Sequence, residues 1–147
     1  MRDLEKDVSI PLDSQEHEML EMQKEISFIS FYWADVVSQL DERIKELDLS
    51  FDMWFAEVKC EAISKEKDLF IDEKARSQFI KGLSVSSVKD LVIKYFGEDY
   101  KARKKEIIGI ERARDKYKGA MSAIEKKHFQ LSSIAKNFKR EFDSTEK

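Results

Sequence analysis

The chain has 147 residues, 39% of them charged and 41% hydrophobic, with a net charge of −3, one cysteine and one proline. That length suits one domain with its own core, while so high a charged fraction thins the apolar supply and points to an elongated molecule. The lone Cys60 excludes an internal disulfide, no apolar run approaches the ~20 residues that span a bilayer, and no signal-peptide core follows Met1, so a cytoplasmic location without membrane contact is expected.

Four glycines and one proline leave few turn signals, and Glu, Lys, Leu, Ile and Ala predominate, so the expected class is all-α with no room for a sheet. The charge is unevenly spread. Met1 to Glu73 carries 8 Lys and Arg against 20 Asp and Glu, and Lys74 to Lys147 carries 19 against 10, giving halves of −12 and +9. One reading is that an acidic helix lies along a basic one, in the same chain or the next. The sharper reading is a basic surface that binds a polyanion beside an acidic one that repels it.

Residues 1–13 hold the proline and a short apolar cluster, Val8, Ile10 and Leu12, and read as an N-terminal arm. Asp13 or Ser14 can cap a helix whose first turn carries Glu16 and Glu18, where the macrodipole favours negative charge. A long helical region then spans 14–63. Apolar residues recur at Met19, Met22, Ile26, Ile29, Trp33, Val36, Leu40, Ile44, Leu47, Phe51, Trp54, Val58 and Ala62, with successive steps of four up to Ile44 marking a stutter in the heptads. Continuity is favoured across Asp48–Asp52, although Leu49 and Ser50 fit less well, and the helix would be roughly 70 Å long. Phe28, Phe31 and Tyr32 add a second apolar strip, which suggests burial on two sides, by the C-terminal helix or by another subunit.

Residues 64–98 lose the long pattern and read as a connecting loop with short helices. Ser86 or Ser87 can cap a helix with Val88, Leu91, Val92, Tyr95 and Phe96 on its apolar face, ending at Gly97. A final helix spans 99–142, with a tail at 143–147 expected to fray. Its stripe is Ile107, Ile110, Tyr117, Met121, Ile124, Leu131, Ala135, Phe138 and Phe142, interrupted only by Arg114 and His128. Such a coiled-coil-like seam needs another long helix, its own or a neighbour's, to cover it. An oligomeric helical assembly is therefore expected, with Ile107 to Phe138 of this stripe as the interface and His128 as a polar residue setting register.

Catalytic machinery is not visible. His17 and His128 are far apart, and the sequence contains no cysteine pair, HExxH, Walker loop, GxGxxG or GxSxG. No enzyme activity, metal or cofactor is expected.

Three stretches carry a family resemblance. The segment Leu4-Glu-Lys-Asp-Val-Ser-Ile-Pro-Leu-Asp-Ser14, a following helix with Trp33, and Gly119-Ala-Met-Ser-Ala-Ile124 with the later Phe129 and Ile134 together resemble the UvsY-type recombination mediators of T-even phages. The resemblance spans nearly the whole chain at low identity. It implies a ring-forming helical protein without a nucleotide cofactor, acting in the cytoplasm of an infected bacterium. Such a protein binds single-stranded DNA, and it contacts a RecA-like recombinase and a single-strand-binding protein. The family's Lys-x-Arg pair late in the first helical region meets Val58-Lys59-Cys60-Glu61 here, so only Lys59 carries over.

The expected function is thus a single-stranded DNA-binding recombination mediator, and the alternative is a coiled-coil structural or adaptor protein without nucleic-acid binding. Candidate DNA-binding residues are Lys59, Lys65, Lys67, Lys74, Arg76, Lys101, Arg103, Lys104 and Lys105. Each cation at a phosphate adds affinity through counterion release, and several weak patches in one assembly act together.

Overall fold

A computed structural model describes residues 1–8 and 16–145, the side chains of 16–20, 22, 23, 135, 138 and 142–145 excepted. The fold is all-α, with α1 Leu4–Val8, α2 Glu16–Lys67, α3 Glu73–Lys81 and α4 Val85–Thr145, and no strand among the described residues. The chain divides into two compact units, one of Met1–Asp41 with Arg112–Lys147 and one of Glu42–Glu111.

In the first unit, α1 makes part of the expected arm a short helix, begun by Asp3, whose Oδ1 accepts from the Lys6 amide at 3.3 Å. Ile10 and Leu12 of the arm, and the caps expected at Asp13 or Ser14, lie outside the described residues. The core is Ile26, Ile29, Trp33 and Ile124, against which Leu4, Val8, Tyr32, Val36, Tyr117 and Met121 pack. Tyr117 stacks on the Trp33 ring at 5.3 Å and Tyr32 meets it edge-on at 5.1 Å, the two geometries that aromatic quadrupoles favour.

Polar groups finish this core. The Asp7 carboxylate accepts the Trp33 indole N–H at 2.9 Å and the Arg2 Nε–H at 3.0 Å, while Lys127 Nζ donates at 2.9 Å to the Asp7 carbonyl. A cation is well placed there, because the carbonyls ending a helix lack intrahelical partners. Burial alone would raise the Asp7 carboxyl. Hydrogen bonds from Arg2 and Trp33, with the charges of Arg2 and Lys127, outweigh that and hold it below the ordinary carboxylate range. Burial lowers Lys127, and the nearby Asp7 charge only partly offsets this.

Two expectations are corrected in this unit. Ile124 and Leu131 are 0% and 1% exposed within the single chain, so these seam positions are covered without a neighbouring subunit. Tyr117 and Met121 pack on the same core, and Ile107 of the second unit is likewise buried and Ile110 half-buried. Ile107, Ile124 and Leu131 therefore serve as packing within the single chain, while Ile110, Tyr117 and Met121 keep part of their surface open; the side chains of Ala135 and Phe138 lie outside the described ones. The second correction concerns register. His128 is exposed, and its neighbour Lys127 turns inward to reach Asp7. The expected second strip also faces outward at Phe28 and Phe31, which are exposed in the single chain, whereas Tyr32 packs on the core.

In the second unit, α2 is helical through 48–52, as its periodicity favours. Its inward face supplies Ile44, Val58 and Ala62, and a cluster of Val58, Ala62 and Val92 is flanked by Trp54, Phe55, Leu91, Tyr95, Phe96 and Tyr100. The expected break at Gly97 appears instead as a kink at Phe96 (φ −130°, ψ 30°) within α4. The adjoining glycine weakens the helix there, a usual setting for a bend. The cap of α4 is Ser84, whose Oγ accepts from the Ser87 amide at 3.1 Å, and not Ser86 or Ser87. Asp72 caps α3 in the same manner through the Lys74 amide.

Candidate nucleic-acid interface

All nine candidate cations fall in the second unit, although they span 59–105 in sequence. They separate into local groups. Lys101, Lys104 and Lys105 follow i, i+3, i+4 spacing and share a face of α4. Tyr100 packs on the core beside them, and Arg103 emerges on the opposite side of that buried seam. Lys104 Nζ stands 4.2 Å from the centre of the Phe51 ring, and the Arg103 guanidinium 5.0 Å from that of Trp54. Lys101 and Lys105 are exposed.

The second group lies near the kink. Lys65 pairs with Glu61 at 3.5 Å and sits over the rings of Phe96 and Tyr95 at 5.1 and 5.8 Å. Lys94, which the sequence did not single out, also lies over Tyr95 and donates to Glu66 at 2.9 Å. Glu66 is a shared acceptor: the Tyr95 hydroxyl and Lys94 both hold its carboxyl below the ordinary value, and in return it raises Tyr95 and Lys94.

Around α3, Lys67 and Arg76 line an open cleft of about 460 Å³ with Glu73, Ser77, Ile80 and Lys81. Arg76 is committed to the fold, since its Nε donates to the Phe70 carbonyl at 2.6 Å and ties α3 to the preceding turn. Lys74 is exposed at the start of α3, and Lys59 is exposed on α2, one turn after the half-buried Phe55.

Sequence reasoning missed the aromatic partners. Phe51, Trp54 and Tyr95 read as core by periodicity, while Phe55 and Tyr100 lie off the expected stripes; Trp54, Phe55, Tyr95 and Tyr100 pack on the core, yet all five rings are only half-buried and most carry a cation on a ring face. The usable signal was local, Tyr100 four residues before Lys104 on one helix face, whereas the rings of α2 meet that run only through tertiary packing. Phe51 joins Trp54, Phe55 and Tyr100 at centroid distances of 5.7, 6.1 and 5.5 Å, a contiguous aromatic patch.

A broad basic field is not part of this unit. Residues 42–111 hold 14 Lys and Arg against 15 Asp and Glu, for a net of −1. Acids of α2 meet bases of α4 in Lys94–Glu66, at 2.9 Å, while Arg43 of α2 reaches Glu106 of α4 at 3.6 Å. Any polyanion contact is therefore short-range. Among the described residues, no group of three His, Cys, Asp or Glu side chains is placed to hold a metal ion, and no helix is long and apolar enough to cross a membrane. Compared with known proteins, the chain matches no family model, no curated protein and no solved structure.

Proposed function

We propose that this protein binds single-stranded DNA through its second unit and acts as a recombination mediator, helping a RecA-like recombinase load onto DNA covered by single-strand-binding protein. The observation that carries the binding reading is the interleaving of cations with half-buried rings, Lys104 on Phe51 and Arg103 on Trp54. Single strands are held by this combination, phosphates by Lys and Arg and unpaired bases by aromatic faces. The recombinase and the single-strand-binding protein enter through the UvsY-type resemblance. Self-association enters the same way, and its surface is then to be sought among exposed side chains such as Phe28 and Phe31 rather than the buried seam.

The adaptor reading has one specific observation in its favour, the pairing of acidic and basic residues between α2 and α4 within each unit, as in Arg114–Asp41 and Arg43–Glu106. A salt titration separates the two. The parent should bind a fluorescent oligonucleotide with a steep salt dependence, and a Lys101→Gln, Lys104→Gln, Lys105→Gln variant should bind more weakly, with a log–log slope shallower by about 2, given ~0.7 per phosphate for single strands. Absence of salt-dependent binding by the parent at low ionic strength selects the adaptor.

A further inference from the structure

Two tryptophans occupy opposite situations in this chain. Trp33 is 1% exposed and its N–H is bonded to Asp7, which is how an indole serves a core. Trp54 is half-buried at the rim of an open groove of about 460 Å³, whose other walls are Leu49, Ser50, Met53, Glu46, Glu57 and Arg103. Leu49 and Met53 are 62% and 61% exposed, so an apolar wall one helical turn long stands in water beside the ring. The groove's volume lies within the range of small-ligand clefts.

The chemistry of the walls restricts the occupant. Glu46 and Glu57 repel a phosphate entering the groove and can only accept N–H groups. The indole and the Leu49–Met53 wall favour a flat apolar face. Arg103, the cation of the groove, sits against the ring on a side chain long enough to swing away. An unpaired nucleobase has the required flat face and N–H edge, and it is tethered to a phosphate that stays outside. We infer that Trp54 is a base-stacking platform for single-stranded DNA. The incoming base takes the ring face that Arg103 now caps, and the freed guanidinium turns to the adjoining phosphate, where its fork matches two oxygens. Stacking of this kind is tolerant of base identity and is worth about 5- to 150-fold in affinity per base, more than an exposed cation–ring contact contributes.

This inference rests on the proposed single-strand binding, and the experiment keeps the two apart. Anisotropy of a labelled oligo(dT) reports binding, while tryptophan emission is recorded in parallel for the parent and for Trp54→Phe, which retains Trp33 as the sole indole. The parent's emission should be quenched on binding and that of Trp54→Phe should not. Trp54→Leu should lose roughly 5- to 150-fold in affinity while Trp54→Phe, with a smaller ring, loses less. An abasic oligomer of equal length should bind through phosphates without quenching. Binding of oligo(dT) with unquenched emission, or full affinity in Trp54→Leu, overturns the platform and leaves DNA binding standing. Absence of any anisotropy change in the parent at low salt overturns both.

Discussion

Replacing Asp7 tests how the first unit is closed. Trp33 is 1% exposed, so in Asp7→Ala its indole N–H has neither Asp7 nor bulk water to bond, and a buried donor left unpaired costs about 1–3 kcal/mol. The lost Arg2 pair adds at most about 1 kcal/mol, because the Arg2 side chain is 34% exposed and water screens it. The expected loss for Asp7→Ala is therefore about 1–4 kcal/mol. Asp7→Asn keeps an oxygen for the indole but sets an amide N–H group where Asp7 Oδ1 accepts from Arg2 Nη2 at 3.0 Å, so it forfeits the Arg2 pair and about 1 kcal/mol is expected. The assay is urea unfolding followed by emission in a Trp54→Phe background, where Trp33 is the only reporter. The pH dependence has a definite sign. The folded carboxyl is held below its ordinary value, so its contribution is complete above the unfolded pKa of about 3.9 and disappears as pH falls through the lower folded value. The parent and Asp7→Asn should thus differ at pH 7 and converge in acid. An Asp7→Ala protein as stable as the parent, or an Asp7→Asn protein as damaged as Asp7→Ala, would refute the assignment of the energy to the indole bond.

Ile124→Ala should destabilise the first unit by about 2–5 kcal/mol, and Ile124→Glu should abolish its near-ultraviolet circular dichroism, because the side chain is 0% exposed inside a single chain. Loss of mass in light scattering with that signal intact would instead return Ile124 to an interface between subunits. Ser84→Ala should cost about 1 kcal/mol in urea unfolding through loss of the α4 cap. Glu66→Gln should lower the titration pH of the Tyr95 phenol, since the carboxylate that raises it is gone; tyrosine ring NMR across the alkaline range reads this directly. The neutralised Lys101, Lys104 and Lys105 variant remains the residue-level test of DNA contact.

Helix content and the inward faces were legible because periodicity records burial. Ile26, Ile29, Trp33, Ile44, Val58 and Ala62 lie on the expected stripe of α2 and are buried. The stutter was legible in kind but shifted in place: Val37 is buried while Val36 is half-buried, so the steps of four run Ile29, Trp33, Val37. A three-four pattern cannot distinguish adjacent valines when both neighbours fit one register. Lys127 was illegible for a different reason. Its partner is a backbone carbonyl of α1, supplied 120 residues away, and side-chain chemistry carries no trace of where such a carbonyl will be. Of the stripe expected on α4, Ile107, Ile124 and Leu131 are buried. Which helix covers it depends on tertiary geometry, and heptads alone do not encode that.

The charge asymmetry follows from the same geometry. Halves of −12 and +9 along the sequence suggest a polar molecule with one attractive end, yet α2 and α4 each contribute to both units, so the acidic and basic stretches meet within each. The first unit holds 13 Lys and Arg against 15 Asp and Glu, a net of −2, close to the −1 of the second. With nearly neutral units, long-range steering of a polyanion is weak, and screening over about 10 Å at 0.1 M salt removes much of what is left. Affinity for a single strand must then come from contacts at a few ångströms. In the second unit Arg103 and Lys104 stand on aromatic rings, where the proposed single-strand site would take a base and its phosphate together. Coulomb attraction alone would select the most basic run of the sequence as the binding site. In the proposed site the folded chain sets rings beside that run, so binding there would ask as much of stacking as of charge.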